Sequence, residues 1–153
     1  MNRRHFIALA AFLATGCAAT GALYQPVEET KPGYGIIYVY RPLGGKQGEN
    51  PYVQVGTGLP RQLRAGAYTW FEVEAGTWQV RAFQNMLVVP TIPHITSVEV
   101  ADGGVSFVRV DQRLTKLGSG GEGGGLKAMQ TVEIEEVDQV TGSAEISETR
   151  LNY

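Results

Sequence analysis

One cysteine, Cys17, and two histidines, His5 and His94, are all the thiol and imidazole in 153 residues. A lone cysteine excludes an intramolecular disulfide and a cysteine-rich zinc site. If the start of the chain is removed, His94 is left to carry any catalytic triad or histidine-rich metal site by itself. Between Pro93 and Ile95 it reads instead as a polar residue at a strand edge. Basic runs are missing too: after Arg3-Arg4 no cluster of Lys or Arg follows, and the net charge is −2. The basic face that marks a nucleic-acid binder is therefore absent. Charged residues make up 18% and aromatics 9%, which suits a globular chain of one domain, while 20 glycines announce many turns.

What is present begins at the N-terminus. Arg3 and Arg4 form a positive n-region, Ile7 to Thr15 an apolar run, and Ala14-Thr15-Gly16 place small residues just before Cys17. That is the layout of a secretory signal over residues 1–16. A retained membrane span is the rival, since Ile7 to Tyr24 holds no charge, but Thr15, Gly16, Thr20 and Gly21 dilute its second half. Leu13-Ala14-Thr15-Gly16-Cys17 resembles a bacterial lipobox, which implies cleavage before Cys17 and a diacylglycerol on its thiol. Ala18, rather than an aspartate, follows, which by the same resemblance implies the outer membrane, with the domain facing the periplasm. Arg3-Arg4-His5-Phe6-Ile7 resembles a twin-arginine export motif, and Sec export fits the same residues. Cleavage would leave 11 basic against 15 acidic residues, a net charge of −4. Residues 17–34, the attachment cysteine followed by Pro26, Glu28, Glu29, Lys31 and Pro32, read as a tether.

Beyond residue 34 the pattern changes to β-branched and aromatic residues in short runs. Strands are expected at Gly35 to Pro42, Tyr52 to Val55, Arg61 to Arg64, Ala67 to Glu74, Thr77 to Phe83, Ile95 to Val100, Val105 to Val110 and Thr131 to Val137. Gly44-Gly45, Gly56-Thr57-Gly58, Ala65-Gly66, Ala75-Gly76 and Asp102-Gly103-Gly104 punctuate them. The expectation for residues 35–153 is a mainly β antiparallel sandwich of about seven to eight strands, closed by a short C-terminal helix from Ala144 that Ser143 would cap. In the strand from Thr131, Glu133 and Glu135 alternate with Val132 and Ile134 and read as its wet face.

"GIIYVYRP", "YTWFEVEAGTWQVRA", "SVEVADGGVSFVRV" and "EVDQVTGSAEISETRL" together resemble a family of bacterial envelope lipoproteins that carry the domain of unknown function numbered 2846. The resemblance implies a lipid-anchored β-sandwich with no established chemistry, and so no catalytic residue, cofactor or metal ligand to carry over. The glycine-rich loop 118–125 contains Gly118-Ser119-Gly120-Gly121-Glu122-Gly123, formally G-x-G-x-x-G. A pyrophosphate cradle needs a strand before the loop and a helix after it. Here strand-like residues lie on both sides and Glu122 would repel phosphate, so the segment reads as a surface loop.

The central stretch gives the candidate site. With Ala75-Gly76 as a two-residue hairpin turn, Val73 would face Trp78, Phe71 would face Val80 and Thr69 would face Ala82 on the core side. On the other side Trp70 would stack on Arg81 and Tyr68 on Phe83. This aromatic and cationic surface of Tyr68, Trp70, Arg81 and Phe83 would either be covered by Ile146, Leu151 or the chain before the first strand, or serve as a contact surface. The function expected is a lipid-anchored, non-enzymatic binding or structural module of the cell envelope. It would contact the membrane through its lipid, and an envelope protein or glycan through this surface. The alternative is a small periplasmic hydrolase or accessory enzyme, which a buried cleft holding His94 beside two carboxylates would favour.

Overall fold

The computed structural model describes residues 19–44, 49–84, 93–116 and 128–152. Among them the elements follow in the order β1 (Tyr34–Arg41), β2 (Tyr52–Val55), β3 (Arg61–Gln62), β4 (Ala67–Glu74), β5 (Gly76–Phe83), β6 (His94–Val100), β7 (Val105–Lys116), β8 (Ala128–Val137), α1 (Gln139–Ile146) and β9 (Arg150–Leu151). Residues 1–16, where a signal sequence is expected, Cys17 and loop 118–125 lie outside the described residues.

Two sheets form, β8-β7-β1-β4-β9 and β3-β2-β5-β6. Pairing is antiparallel except for β1 with β7 and β4 with β9. Alternation along each strand turns valines inward: Val39, Val73, Val108, Val110 and Val132 of the first sheet meet Val53, Val55, Val80, Val98 and Val100 of the second. The result is the mainly β sandwich that the spacing of strands and turns implies. β1 is the exception to alternation. Ile36, Ile37, Tyr38, Val39 and Tyr40 are all at most 1% exposed, because both faces of this central strand are covered.

Three expectations are corrected. First, β4 and β5 are not a hairpin. β4 pairs with β1 and β9, β5 with β2 and β6, and the chain changes sheet across Ala75 and Gly76, the latter at φ 149°. The core faces were nonetheless legible: Val73, Val80 and Ala82 are buried, with Phe71 and Trp78 packed against them. Period two fixes which face a side chain takes, whatever strand lies alongside.

Second, the helix starts five residues early, at Gln139 rather than Ala144. Asp138 is its N-cap, accepting from the Val140 and Thr141 amides at 3.0 Å each, while the Thr141 hydroxyl donates to its other oxygen at 2.6 Å. Gly142, which resembles a breaker in sequence, lies inside the helix where it crosses Phe107. A Cβ there would stand 2.4 Å from the Phe107 ring, so close approach and not a turn explains the glycine. The residues after the helix return as β9.

Third, residues 19–33 are packed rather than a free tether. Ala19 is 9% exposed and donates its N–H to the Ala65 carbonyl at 3.3 Å. Leu151 donates to the Ala22 carbonyl at 2.7 Å, Tyr24 to the Thr149 carbonyl at 3.0 Å, and the Gly33 amide to Asp102 Oδ1 at 2.8 Å. Proline and charge keep this strap out of a sheet ladder, yet an extended chain satisfies its polar groups one by one.

Candidate functional site

The outward-facing residues of the two sheets meet different fates. On the five-stranded sheet Ile36, Tyr38, Tyr40, Tyr68 and Phe107 form a second buried cluster under Ile146 of α1, with Tyr24, Val27, Val137 and Leu151 packed against it. The Tyr24 ring stands edge-on to Tyr38 at 5.2 Å and to Tyr68 at 5.4 Å, and Tyr38 stacks on Phe107 at 5.5 Å. Burial, then the neighbouring Tyr38, pushes the Tyr24 hydroxyl far above its ordinary range. The strap is fixed further by Tyr38, whose hydroxyl accepts from the Val27 amide at 2.7 Å.

A polar latch holds α1 down on the same face. Tyr40 Oη donates to Glu145 Oε2 at 2.5 Å, and Arg109 reaches Glu145 Oε1 at 2.8 Å, Asp111 at 3.4 Å and Glu135. Burial, then the bond to Glu145, holds the Tyr40 hydroxyl protonated as a donor. For Arg109 burial works against the charge, but Glu135, Glu145 and Asp111 together outweigh it and raise its pKa. Glu135 of β8 thus helps to fasten a helix as well as facing water.

On the four-stranded sheet no described element covers the outward residues. Tyr52 on β2 lies opposite Phe83 on β5, their rings stacked at 5.9 Å and 17°. One rung along, Arg81 lies between Gln54 and Ile95, the latter 50% exposed, and donates to Gln79 at 3.3 Å. Further along the face Gln79 stands opposite Ser97 and Thr77 opposite Glu99, all exposed. Beside the aromatic pair Glu49, Asn50, Tyr52 and Gln62 line a depression of about 290 Å³. Its wall is set from behind by Arg41, a guanidinium only 2% exposed that donates to Asn50 at 3.2 Å and to Gln112 at 2.6 Å. Gln112 in turn donates to the Glu49 carbonyl.

The four residues expected on one surface are therefore divided. Tyr68 is buried beneath the strap, as the covered alternative held. Trp70 faces outward on the same sheet opposite Tyr38, and is 37% exposed. Arg81 and Phe83 belong to the open face of the other sheet. Tyr52, the partner that Phe83 has, was missed although "YVQV" shows it alternating with Val53 and Val55. Alternation gives a face and not a neighbour, and the neighbour depends on β5 having changed sheet.

A larger depression of about 440 Å³ lies at the other end, lined by Tyr34, Val55, Phe71, Glu72, Glu74 and Trp78 among others. Two carboxylates in one hollow invite comparison with a glycosidase, which needs one of them to carry a proton. Glu72 is the opposite case: the Lys31 amide and side chain, at 3.2 and 3.1 Å, hold it below the ordinary carboxylate range. Glu74 accepts from the Tyr34 hydroxyl at 3.2 Å, and its carbonyl from the Trp78 indole at 2.8 Å. His94 is exposed at the start of β6 opposite Ala82, away from this hollow. Among the described residues no group of three metal-ligating side chains comes together, and no helix is long and apolar enough to cross a membrane. Compared with known proteins, the chain matches no family model, no curated protein and no solved structure.

Proposed function

We propose that this chain is a lipid-anchored, non-enzymatic binding module of the bacterial cell envelope, held at the outer membrane through Cys17 and facing the periplasm. An envelope protein or glycan docks on Tyr52, Arg81 and Phe83. The observation that carries this reading is the unequal cover of the two sheets. The strap and α1 hide five large side chains on one outer face, while the other presents a stacked aromatic pair, an arginine and four amide or hydroxyl side chains to solvent. Aromatic and arginine side chains of this kind supply most of the energy at interface hot spots, whereas a purely solvated sheet face carries few of them. The anchor is supported by the lipobox-like Leu13 to Cys17, and the likeness to the lipoprotein family with domain 2846 agrees with it.

The double variant Arg81→Ala, Phe83→Ala tests the surface. It should melt within a few degrees of the wild type and lose partner capture from envelope fractions. A variant that keeps full capture contradicts the assignment. The anchor is tested by intact mass: wild-type protein should carry acyl chains on Cys17, and Cys17→Ser should accumulate as the uncleaved, unmodified precursor.

A further inference from the structure

The strap that displaces the expected tether also fixes where the anchor leaves the domain. Ala19 sits in the main core cluster and is bonded to Ala65. Ala18 alone separates it from Cys17, two steps of chain at most about 3.6 Å each. A lipid on Cys17 therefore enters the bilayer within about 7 Å of Ala19, and the end of the sandwich that holds Ala65 cannot stand off from the membrane.

The charges are arranged to suit this. Arg41 lies opposite Ala67 and Phe83 opposite Tyr52, so those strand ends share the end with Ala19, as do Arg64 and Arg150. The described arginines lie on strand segments of that half or, for Arg64, between β3 and β4, with the Arg61 guanidinium reaching inward over the Phe71 ring at 4.4 Å. Acids occur there as well, namely Glu49, Asp111, Glu133, Glu135, Glu145 and Glu148, three of them around Arg109, so seven described arginines stand against six acids and that half is close to neutral. The other end carries Glu72, Glu74, Glu99, Asp102 and Asp138, with Lys31 as its sole described cation, already paired to Glu72. Leu43, 59% exposed and close against Gly66, and Leu23, 52% exposed and bridged to Arg150, add apolar surface beside the anchor point.

We infer that the end of the sandwich marked by Ala19, Leu43, Arg64, Ala65 and Arg150 docks on an anionic phospholipid surface, with the acidic end pointing away. The inference rests on the lipid-anchor reading. Apolar contact and nearby cations act together at such a surface, and each cation near it adds attraction that salt screens. The orientation stands the Tyr52, Arg81, Phe83 face upright, open to partners moving along the membrane.

Two exposed leucines at opposite ends provide the test. Full-length acylated protein carrying Leu43→Cys or Leu59→Cys is labelled with an environment-sensitive fluorophore and reconstituted in vesicles of phosphatidylethanolamine and phosphatidylglycerol bearing a nitroxide lipid. Leu59 is 86% exposed in the turn after β2, at the acidic end. Quenching should be several-fold greater at position 43 than at 59, and the difference should shrink in high salt. Leu23→Cys provides a second position at the docking end should Leu43→Cys fold poorly. Equal quenching at both ends, or more at 59, overturns the orientation while acylated Cys17 in the same sample keeps the anchor reading. Absence of the acyl mass on Cys17 overturns both.

Discussion

The two outer faces of this sandwich begin from similar strands and end differently. On the five-stranded sheet Ile36, Tyr38, Tyr40, Tyr68 and Phe107 are at most 4% exposed, roofed by α1 and by a strap that has no regular secondary structure along most of its length. On the four-stranded sheet Tyr52, Arg81 and Phe83 stay partly exposed and nothing described lies over them. Aromatic side chains turned outward thus identify a binding surface only once the segments able to cover them have been placed. A strap and one short helix account for the whole difference.

The largest effect should come from removing the roof. Ile146 is fully buried between α1 and the sheet, so Ile146→Ala should cost about 2–5 kcal/mol, read by urea unfolding. Loss of less than about 1 kcal/mol would mean that α1 does not seal that face. Next comes the contact itself. Gly142→Ala drives a methyl into the Phe107 ring and should cost about 1–3 kcal/mol through overpacking, despite the better helix propensity of alanine.

A smaller effect concerns how the roof begins. Asp138→Ala removes the carboxylate that accepts from the Val140 and Thr141 amides and should lower the melting temperature by less than either change at the roof. The Thr141 hydroxyl and amide, then the Val140 amide, hold Asp138 below its ordinary value of 3.8. Its folded pKa is depressed, so its stabilisation is complete above pH 3.8 and disappears as pH falls through the lower folded value. Wild type and Asp138→Asn should therefore differ in melting temperature at neutral pH and converge in strong acid. The smallest effect belongs to the open face: Tyr52→Ala should cost only about 1 kcal/mol, the scale of one cross-strand aromatic pair. A much larger loss there would show that the face is structural.

The sequence was most legible where period two alone decides the outcome. All eight expected strands form, and the inward valines of β2, β5, β6 and β7 are those that alternation selects. It was less legible where neighbours come from distant chain. Ala75-Gly76 has the look of a hairpin turn, yet the residues on either side join different sheets, and no local pattern distinguishes a turn from a change of sheet. Asp138 and Ser143 are comparable caps by residue type; what selects Asp138 is Phe107, 31 residues earlier, against which Gly142 must fit. The strap was hidden for a related reason. Its bonds go to Ala65, Thr149 and Leu151, so only the finished fold supplies its partners. One signal was available and passed over: the unbroken apolar run from Ile36 to Tyr40 already implies that both faces of β1 are covered. Of the site, Arg81 and Phe83 were legible as outward residues, and alternation in "YVQV" marks Tyr52 and Gln54 likewise, while their pairing with Phe83 and Arg81, and the place of Gln62, required the sheet order.

The claim that unequal cover defines the working surface is tested most directly by a photo-crosslinking residue placed in the full chain, in cells, at Gln79 or Ser97 on the open face and at Ser143 or Ala144 on the exposed side of α1. Discrete adducts from Gln79 and Ser97, lost when Arg81 and Phe83 are also replaced by alanine, are the predicted result. Adducts from Ser143 and Ala144 with none from the open face would contradict it.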